Sequence, residues 1–356
     1  YWAMLNNSTI IPMEHSVMAT THRKLISVAI AAAVAPLSVQ GAGFGLNTHS
    51  AKSGGTSFAG TAVMGEDPAT IFYNPAGMMV NDKAAASIGA AYIRPEFDYS
   101  DNRPGVPGDT SDESGLAPSL YYMTPFRDDW AVGISINAPY GSSTDFSDDW
   151  VGRYDGTESD IRGVNINPNL AYRINEQVSV GVGINAQYFD ATLTSQVPGS
   201  MPPSPATDFE SEVEGDSWGV GYNAGVLIEP NNSTRIGVAY RSEISHGLDG
   251  DLTFEPGLPA GPTTIDKVPA TASVELPESA TVSFSQGFGE DNRLTLLADA
   301  QYTRWSRVDT IQIEAGLGPN NPELALEFQN SWRGAVGATW DQTDRLTLRT
   351  GYAFEE

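Results

Sequence analysis

Cysteine is absent from the 356-residue chain, which removes disulfides and thiolate metal sites from consideration. Basic residues are scarce. Lys and Arg number 19 against 44 Asp and Glu, a formal charge of -25. No basic patch is available to release counterions from phosphates, which excludes a nucleic-acid partner. The same balance is wrong for a peripheral protein drawn to anionic lipid. Acidic residues in this number fit solvated loops, bridged by divalent cations if a lipopolysaccharide surface lies near, although plain solubility accounts for them equally well. Nor does any apolar run reach the roughly 18 residues that a spanning helix needs. Strands remain possible, because a barrel strand needs only every second residue apolar and averages near neutral hydropathy. Histidine is rare as well. Of the four in the chain, only His49 and His246 lie beyond the leader described next, and neither has a nucleophile motif beside it. A Ser-His constellation is therefore not assembled, and no phosphate-cradling loop is visible. The expectation is a chain that is not an enzyme, with no cofactor and no metal.

An export signal is present. From Met18, Arg23 and Lys24 form a positive n-region, residues 25–35 an apolar core too short to span, and Val39-Gln40-Gly41 a small-residue cleavage site. Residues 18–41 thus read as a signal peptide and the mature chain as starting at Ala42. Residues 1–17 read as an upstream extension from an over-assigned start codon, with a long cytoplasmic extension as the alternative.

After residue 84 a period-2 pattern recurs. Val178, Val180, Val182, Ile184, Ala186 and Tyr188 share one face, while Ser179, Gly181, Gly183, Asn185 and Gln187 share the other. Residues 130–138, 217–228, 294–302, 332–340 and 346–354 alternate likewise. Aromatics such as Trp130, Tyr188, Trp218, Tyr302 and Trp340 sit near segment ends, where interfacial girdles would want them. Short polar links at 127–129, 175–177, 229–233, 290–292 and 341–344 alternate strictly with long ones at roughly 95–115, 139–160, 194–216, 242–278 and 303–330. An outer-membrane barrel has short periplasmic turns and long outer loops; a soluble sandwich has no reason to sort its loops this way. The fold class expected is all-β, a transmembrane antiparallel β-barrel. About eleven strands can be placed, near 84–95, 116–124, 130–138, 161–174, 178–193, 217–228, 234–243, 279–288, 293–302, 328–340 and 345–354. Because closure with both ends periplasmic needs an even count, an odd one predicts that the barrel, 84–356, is truncated at its C-terminus.

Residues 42–82 resemble the N-terminal segment of the FadL/TodX family, outer-membrane transporters of long-chain fatty acids and aromatic hydrocarbons. The likeness rests on Ala42-Gly43-Phe44-Gly45-Leu46-Asn47, Ser57-Phe58-Ala59-Gly60 and Glu66-Asp67-Pro68-Ala69-Thr70-Ile71-Phe72-Tyr73-Asn74-Pro75-Ala76-Gly77. Two further blocks are similar to family signatures, Asn137-Ala138-Pro139-Tyr140-Gly141 with Asp148-Asp149-Trp150-Val151-Gly152-Arg153-Tyr154, and Leu276-Pro277-Glu278-Ser279. The likeness extends to Gly351-Tyr352-Ala353-Phe354. It implies a barrel of about fourteen strands when complete, with three lost, among them a C-terminal strand whose aromatic the insertion machinery reads.

Several expectations follow from the resemblance. Residues 42–83 form an N-terminal hatch in the lumen, with Asn74, Pro75, Ala76 and Gly77 as its motif; Asn before Pro also disfavours helix at that corner. Asn137, Ala138, Pro139, Tyr140 and Gly141 form a kink through which ligand leaves sideways, and Pro139 cannot donate to a ladder. Phe146 and Trp150 are expected to meet ligand on an outer loop. Positions that carry basic residues in fatty-acid members read Ser195 and Gln312 here, a departure that keeps an aromatic or alkane substrate open. Alternation places Arg333 and Arg349 in the lumen, where pairing with acids such as Asp299 is the first expectation and service as carboxylate partners the alternative. The partners expected are a fatty acid or hydrocarbon ligand, outer-membrane lipid and lipopolysaccharide, periplasmic chaperones and the barrel-insertion machinery, with the protein itself a monomer. The function expected is passive uptake of hydrophobic small molecules, long-chain fatty acids first and aromatic hydrocarbons or alkanes as the alternative. A general porin and an outer-membrane lipase-like enzyme are the more distant readings.

Overall fold

Alternation of apolar and small polar residues yields long strands, and the eleven that the pattern places are all present. The computed structural model describes residues 43–100, 108–200, 204–260, 263–317, 323–326 and 328–356; the leader and the upstream extension lie outside them. Seventeen strands, numbered in chain order, occur among the described residues. The wall is one antiparallel path of eleven: β1 (Ala85–Ile93), β4 (Gly115–Arg127), β5 (Trp130–Asp145), β6 (Glu158–Asn175), β7 (Val178–Val197), β8 (Phe209–Asn231), β9 (Thr234–Arg241), β12 (Ser279–Phe288), β13 (Leu294–Thr303), β16 (Ser331–Thr343) and β17 (Leu346–Glu355). β1 and β17 end this path, and no pairing between them is described.

The faces are inverted relative to a soluble sheet. Val182 and Ile184 are 56% and 59% exposed, whereas Ser179, Asn185 and Gln187 on the opposite face are buried. An apolar outer face is what hydrocarbon solvates best, and an inner polar face must satisfy itself. An asparagine network supplies much of this: Asn165 Nδ2 donates to Asn185 Oδ1 (3.1 Å), Asn167 Nδ2 to Asn223 Oδ1 (2.9 Å) and Asn223 Nδ2 to Asn169 Oδ1 (3.1 Å), while Asn165 Oδ1 is buried without a protein partner. Trp130 packs on Tyr172 (4.5 Å) near the short turns, and Tyr188 on Trp218 (5.5 Å) and Tyr302 on Trp332 (5.0 Å) near the long connections. These pairs mark two girdles, as expected.

The wall curls around residues 43–83. That one segment meets the inner faces of β5 at Gly133, β7 at Gly181, β8 at Gly225, β9 at Gly237, β13 at Leu297, and β16 and β17 at Gly337 and Gly351. A flat sheet could not bring so many strands to one plug.

The long connections required correction. Residues 242–278 are not an irregular loop but a hairpin of β10 (Ile244–Ala260) and β11 (Thr263–Leu276). β10 pairs with the outer end of β8, from Asp249↔Asp216 to Glu255↔Glu210, and so prolongs the wall beyond the membrane edge. β11 pairs with β14 (Thr310–Glu314), which pairs with β15 (Glu323–Ala325). The first long connection holds a small hairpin of β2 (Phe97–Tyr99) and β3 (Asp109–Ser111). Ile244, His246, Leu248, Leu252 and Phe254 are buried on one face of β10, an alternation that its Gly and Asp content masks.

Orientation of the faces generates a test. Ile184 lies midway along the apolar run of β7, so Ile184→Arg places a guanidinium in hydrocarbon and should lower unfolding stability in lipid vesicles by about 2–4 kcal/mol. A urea titration giving no change would place this face away from lipid.

Candidate ligand-binding lumen

The plug begins with backbone geometry. Ser50 caps a short helix, Ala51–Gly54, and a second one, Thr70–Tyr73, stops at Asn74 because Pro75 follows. Asn74 is extended (φ -150°, ψ 102°), its Oδ1 accepts from the Ala76 N–H (3.1 Å), and a 3₁₀ turn runs on over Pro75–Val80. Its Nδ2 donates to the Ala62 carbonyl (2.8 Å) and to the Val226 carbonyl of β8 (3.1 Å). The side chain is fully buried. The Asn-Pro corner is thus fixed from inside the plug and from the wall together. Wall glycines make the approach possible: a Cβ on Gly225 would lie 2.0 Å from Asn74 Oδ1, and one on Gly181 2.4 Å from the Ala76 nitrogen.

Arg333 and Arg349 both face the lumen, yet neither borders the apolar cavity described below. Arg333 is buried, donates to the Ser57 carbonyl and lies 5.8 Å from the Phe58 ring centroid. Arg349 packs its aliphatic stem against Gly55. The pairing of Arg333 with Asp299 does not form. Asp299 Oδ2 instead accepts from the Thr61 N–H (2.8 Å), Thr61 Oγ1 (2.7 Å) and Ser283 Oγ (3.0 Å). Both residues hold the plug, because its backbone reaches them first.

At the kink, β5 does not end at Pro139 but continues to Asp145. Against β6, Asn137 pairs Asn165 and Tyr140 pairs Gly163, so Ala138 and Pro139 together oppose Val164 alone. That is a bulge. On the other side the β4–β5 ladder stops at Ser119↔Asn137, although residues 115–118 of β4 still pair with β1. The two wall strands therefore part. The freed edge of β5 is taken by the plug: the Leu46 N–H donates to the Pro139 carbonyl (2.9 Å), the Gly141 N–H to the Phe44 carbonyl (3.0 Å), and Gly45 stands opposite Tyr140.

Phe44 also floors an apolar cavity of about 370 Å³ on the side of the long connections, lined by Phe97, Phe189, Leu193, Ile311 and Leu326 among others. Its one charged lining residue among those described is Glu214, 3.8 Å from Lys267. Phe44 meets Tyr140 at 5.8 Å, Trp305 at 5.5 Å and Phe328 at 6.2 Å, a partition one aromatic layer thick. Gly43 has φ +62°, and a Cβ there would strike the Trp305 ring at 2.7 Å, so only glycine lets the chain turn under this layer. Beyond it lies a smaller chamber of about 100 Å³, lined by His49, Phe72, Pro139, Tyr140, Gln187, Arg241 and others. Sequence reasoning missed Phe44 as the floor and Arg241 altogether; Arg241 closes an apolar strand and looks like an interfacial anchor.

Phe146 and Trp150 do not line the cavity. They stack on one another (4.5 Å, 18°), Trp150 meets Tyr99 edge-on at 5.2 Å, and its indole N–H donates to the Gly156 carbonyl (2.9 Å). Their faces are used in fastening the outer connection. Phe97 reaches the cavity instead. The same connection is tied down by Arg153, whose Nε donates to Asp208 Oδ2 (2.9 Å), and by the Tyr154 hydroxyl (2.7 Å to the same oxygen). Burial pushes the Asp208 carboxyl up, but the bonds from Arg153 and Tyr154 outweigh it and leave it below its ordinary value. Ser195 on β7 and Gln312 on β14 are absent from both the cavity and the chamber lining. No group of three or more His, Asp or Glu side chains converges on a metal position among the described residues.

Comparison with known proteins is consistent with this geometry. The family model described as "Outer membrane protein transport protein (OMPP1/FadL/TodX)" matches residues 32–356. A long-chain fatty acid transport protein of Escherichia coli (strain K12) is 29% identical, over 92% of this chain and 82% of its own. Among solved structures, a Pseudomonas aeruginosa FadL homologue superposes with a TM-score of 0.73 at 24% identity, covering 88% of this chain and 81% of that one. The Ralstonia pickettii toluene transporter TbuX does so with 0.68 at 18% identity, covering 85% of each.

Two outcomes check the site. Gly225→Val, a change in the wall alone, should unseat Asn74, and amide exchange over Ala76–Val80 should quicken by at least tenfold; unchanged protection would mean that the corner holds without the wall. Asp208→Asn should expose the outer connections to protease on intact cells. In the wild type the same release should need strong acid, since a carboxyl held low keeps its contribution until pH falls through its depressed value.

Proposed function

Because this chain belongs to the OMPP1/FadL/TodX family of outer membrane transport proteins, we propose that it carries hydrophobic small molecules inward without an energy source, long-chain fatty acids foremost. The observation that supports this reading is an apolar cavity inside a polar-lined barrel, floored by the residue that also holds the parted wall strand. Ligand enters between the outer connections and is drawn in by removal of apolar surface from water. At about 25 cal/mol per Å², some 200 Å² of ligand surface contributes roughly 5 kcal/mol. Phe44–Leu46, the start of the hatch, then lifts from β5. Two backbone hydrogen bonds break, the gap between β4 and β5 opens, and the ligand leaves sideways into the bilayer without crossing water. The Asn74 corner holds the rest of the hatch in place while its beginning moves.

Uptake of aromatic hydrocarbons or alkanes by the same route is the second reading. It is favoured by a cavity whose single charge among the described residues is the acid Glu214, with neither Arg333 nor Arg349 on its wall.

The absence of cysteine makes a reversible test available. Gly45 and Tyr140 face each other between the two hydrogen bonds as a non-hydrogen-bonded pair, the antiparallel position with the shorter Cα separation. That spacing suits a disulfide. In Gly45→Cys/Tyr140→Cys protein, oxidation should stop uptake of oleate and of toluene while leaving binding in the cavity, and reduction should restore uptake. Full uptake in the oxidised state would defeat the lateral route.

A further inference from the structure

Arginines on the inner wall are generally spoken for. Arg235 lies between Glu229 Oε1 (3.0 Å) and Glu66 Oε1 (2.5 Å), and Arg333 donates to the plug backbone. Arg241 differs. It ends β9 on the same face as Gly237, which touches the plug at Ala62. Its described partners are the Phe72 carbonyl (2.7 Å from Nη2), the Asn185 Oδ1, and the Phe72 ring, over which the guanidinium sits at 4.1 Å. None of them is a carboxylate. It is the one Arg or Lys lining the inner chamber among the described residues. The chamber's acid, Glu355, reaches Ser331 Oγ at 3.4 Å on β16.

A guanidinium carries five N–H donors in a planar fork, and two acceptors are described for this one. Arg241 is half-buried, and a charge held away from bulk water without a counter-ion is costly, so an unneutralised Arg inside a lumen is a standing demand for an anion. The guanidinium is held by aromatic stacking and by one neutral acceptor on each of Nη1 and Nη2, which fixes the fork while leaving the charge uncancelled and further N–H donors available. Such a fork matches a carboxylate in two-point geometry. Position adds to the chemistry. The chamber shares its wall with Pro139 and Tyr140, where β4 and β5 part, and Trp305 separates it by one ring from Phe44 and the apolar cavity.

We propose that Arg241 binds the carboxylate of an amphiphilic ligand once the aromatic layer at Phe44 has parted, with the hydrocarbon chain still in the apolar cavity, so that the head group is received beside the gap in the wall. This rests on the transport reading and narrows it to carboxylated ligands. It also moves carboxylate recognition away from Arg333 and Arg349, which hold the plug.

The test compares oleate with oleyl alcohol, equal in chain and lacking the charge, on purified protein in detergent. Arg241→Gln, which retains hydrogen-bonding capacity toward Asn185, should weaken oleate binding by about 10- to 100-fold and leave oleyl alcohol within about twofold. Arg241→Lys, which keeps the charge but not the fork, should fall between. Heat-modifiable mobility on gels confirms that each variant is folded. Equal losses for both ligands would assign Arg241 a structural role, and undiminished oleate binding would place the carboxylate elsewhere; either overturns the proposal. Wild-type protein that binds neither ligand would instead sink the transport reading on which it rests.

Discussion

Backbone hydrogen bonding in a solvent that offers no partners governs this molecule. In hydrocarbon every N–H and C=O must be satisfied within the protein, and the wall meets that demand by pairing each strand with the next. The informative place is where pairing fails. Between β4 and β5 the ladder stops at Ser119↔Asn137, and the bulge at Ala138 and Pro139 turns the rest of β5 away. The orphaned groups are taken up by Phe44 and Leu46. The plug is therefore more than a stopper in a finished cylinder; for three residues it substitutes for a strand of the wall.

The inner surface follows from the same constraint. Residues that alternate with the lipid-facing ones must be polar enough to tolerate a lumen and small enough to admit a plug. Asparagines satisfy one another across β6, β7 and β8, and glycines at 181 and 225 admit backbone where any side chain would collide. Above the plug the lining turns apolar, with Ile161, Phe189 and Leu193 from the outer ends of β6 and β7 facing Leu248, Val274 and Ile311 from β10, β11 and β14. The division is physical. Lower down, the same wall strands are committed to lipid outside and plug inside, so the cavity forms only where their outer ends meet the extension.

Much of this was legible in the sequence. All eleven wall strands follow from period-2 alternation, and the sorting of short and long links already distinguishes the two edges. The helix stop at Asn74 before Pro75 and the bulge at Ala138 and Pro139 are local backbone chemistry, which is why both can be read from the residues themselves. What escaped depends on contacts distant in sequence. β10 and β11 alternate as cleanly as the wall, but Gly, Asp and Pro make them read as loop until the outer end of β8 is seen to pair with them. Phe146 and Trp150 have the composition of a ligand contact, and only the structure shows that they stack on each other away from the apolar cavity. Arg333 and Arg349 are lumenal as alternation requires, yet alternation cannot tell a plug-facing position from a cavity-facing one. Arg241 carries no motif, and what sets it apart is that none of its described partners is a carboxylate.

The join between the plug and β5 is made of main chain on both sides. No side chain at residues 44–46 or 139–141 supplies either bond, so substitutions there can reshape the neighbouring cavity and chamber without removing the join itself. Lining and join are thus free to diverge independently under mutation.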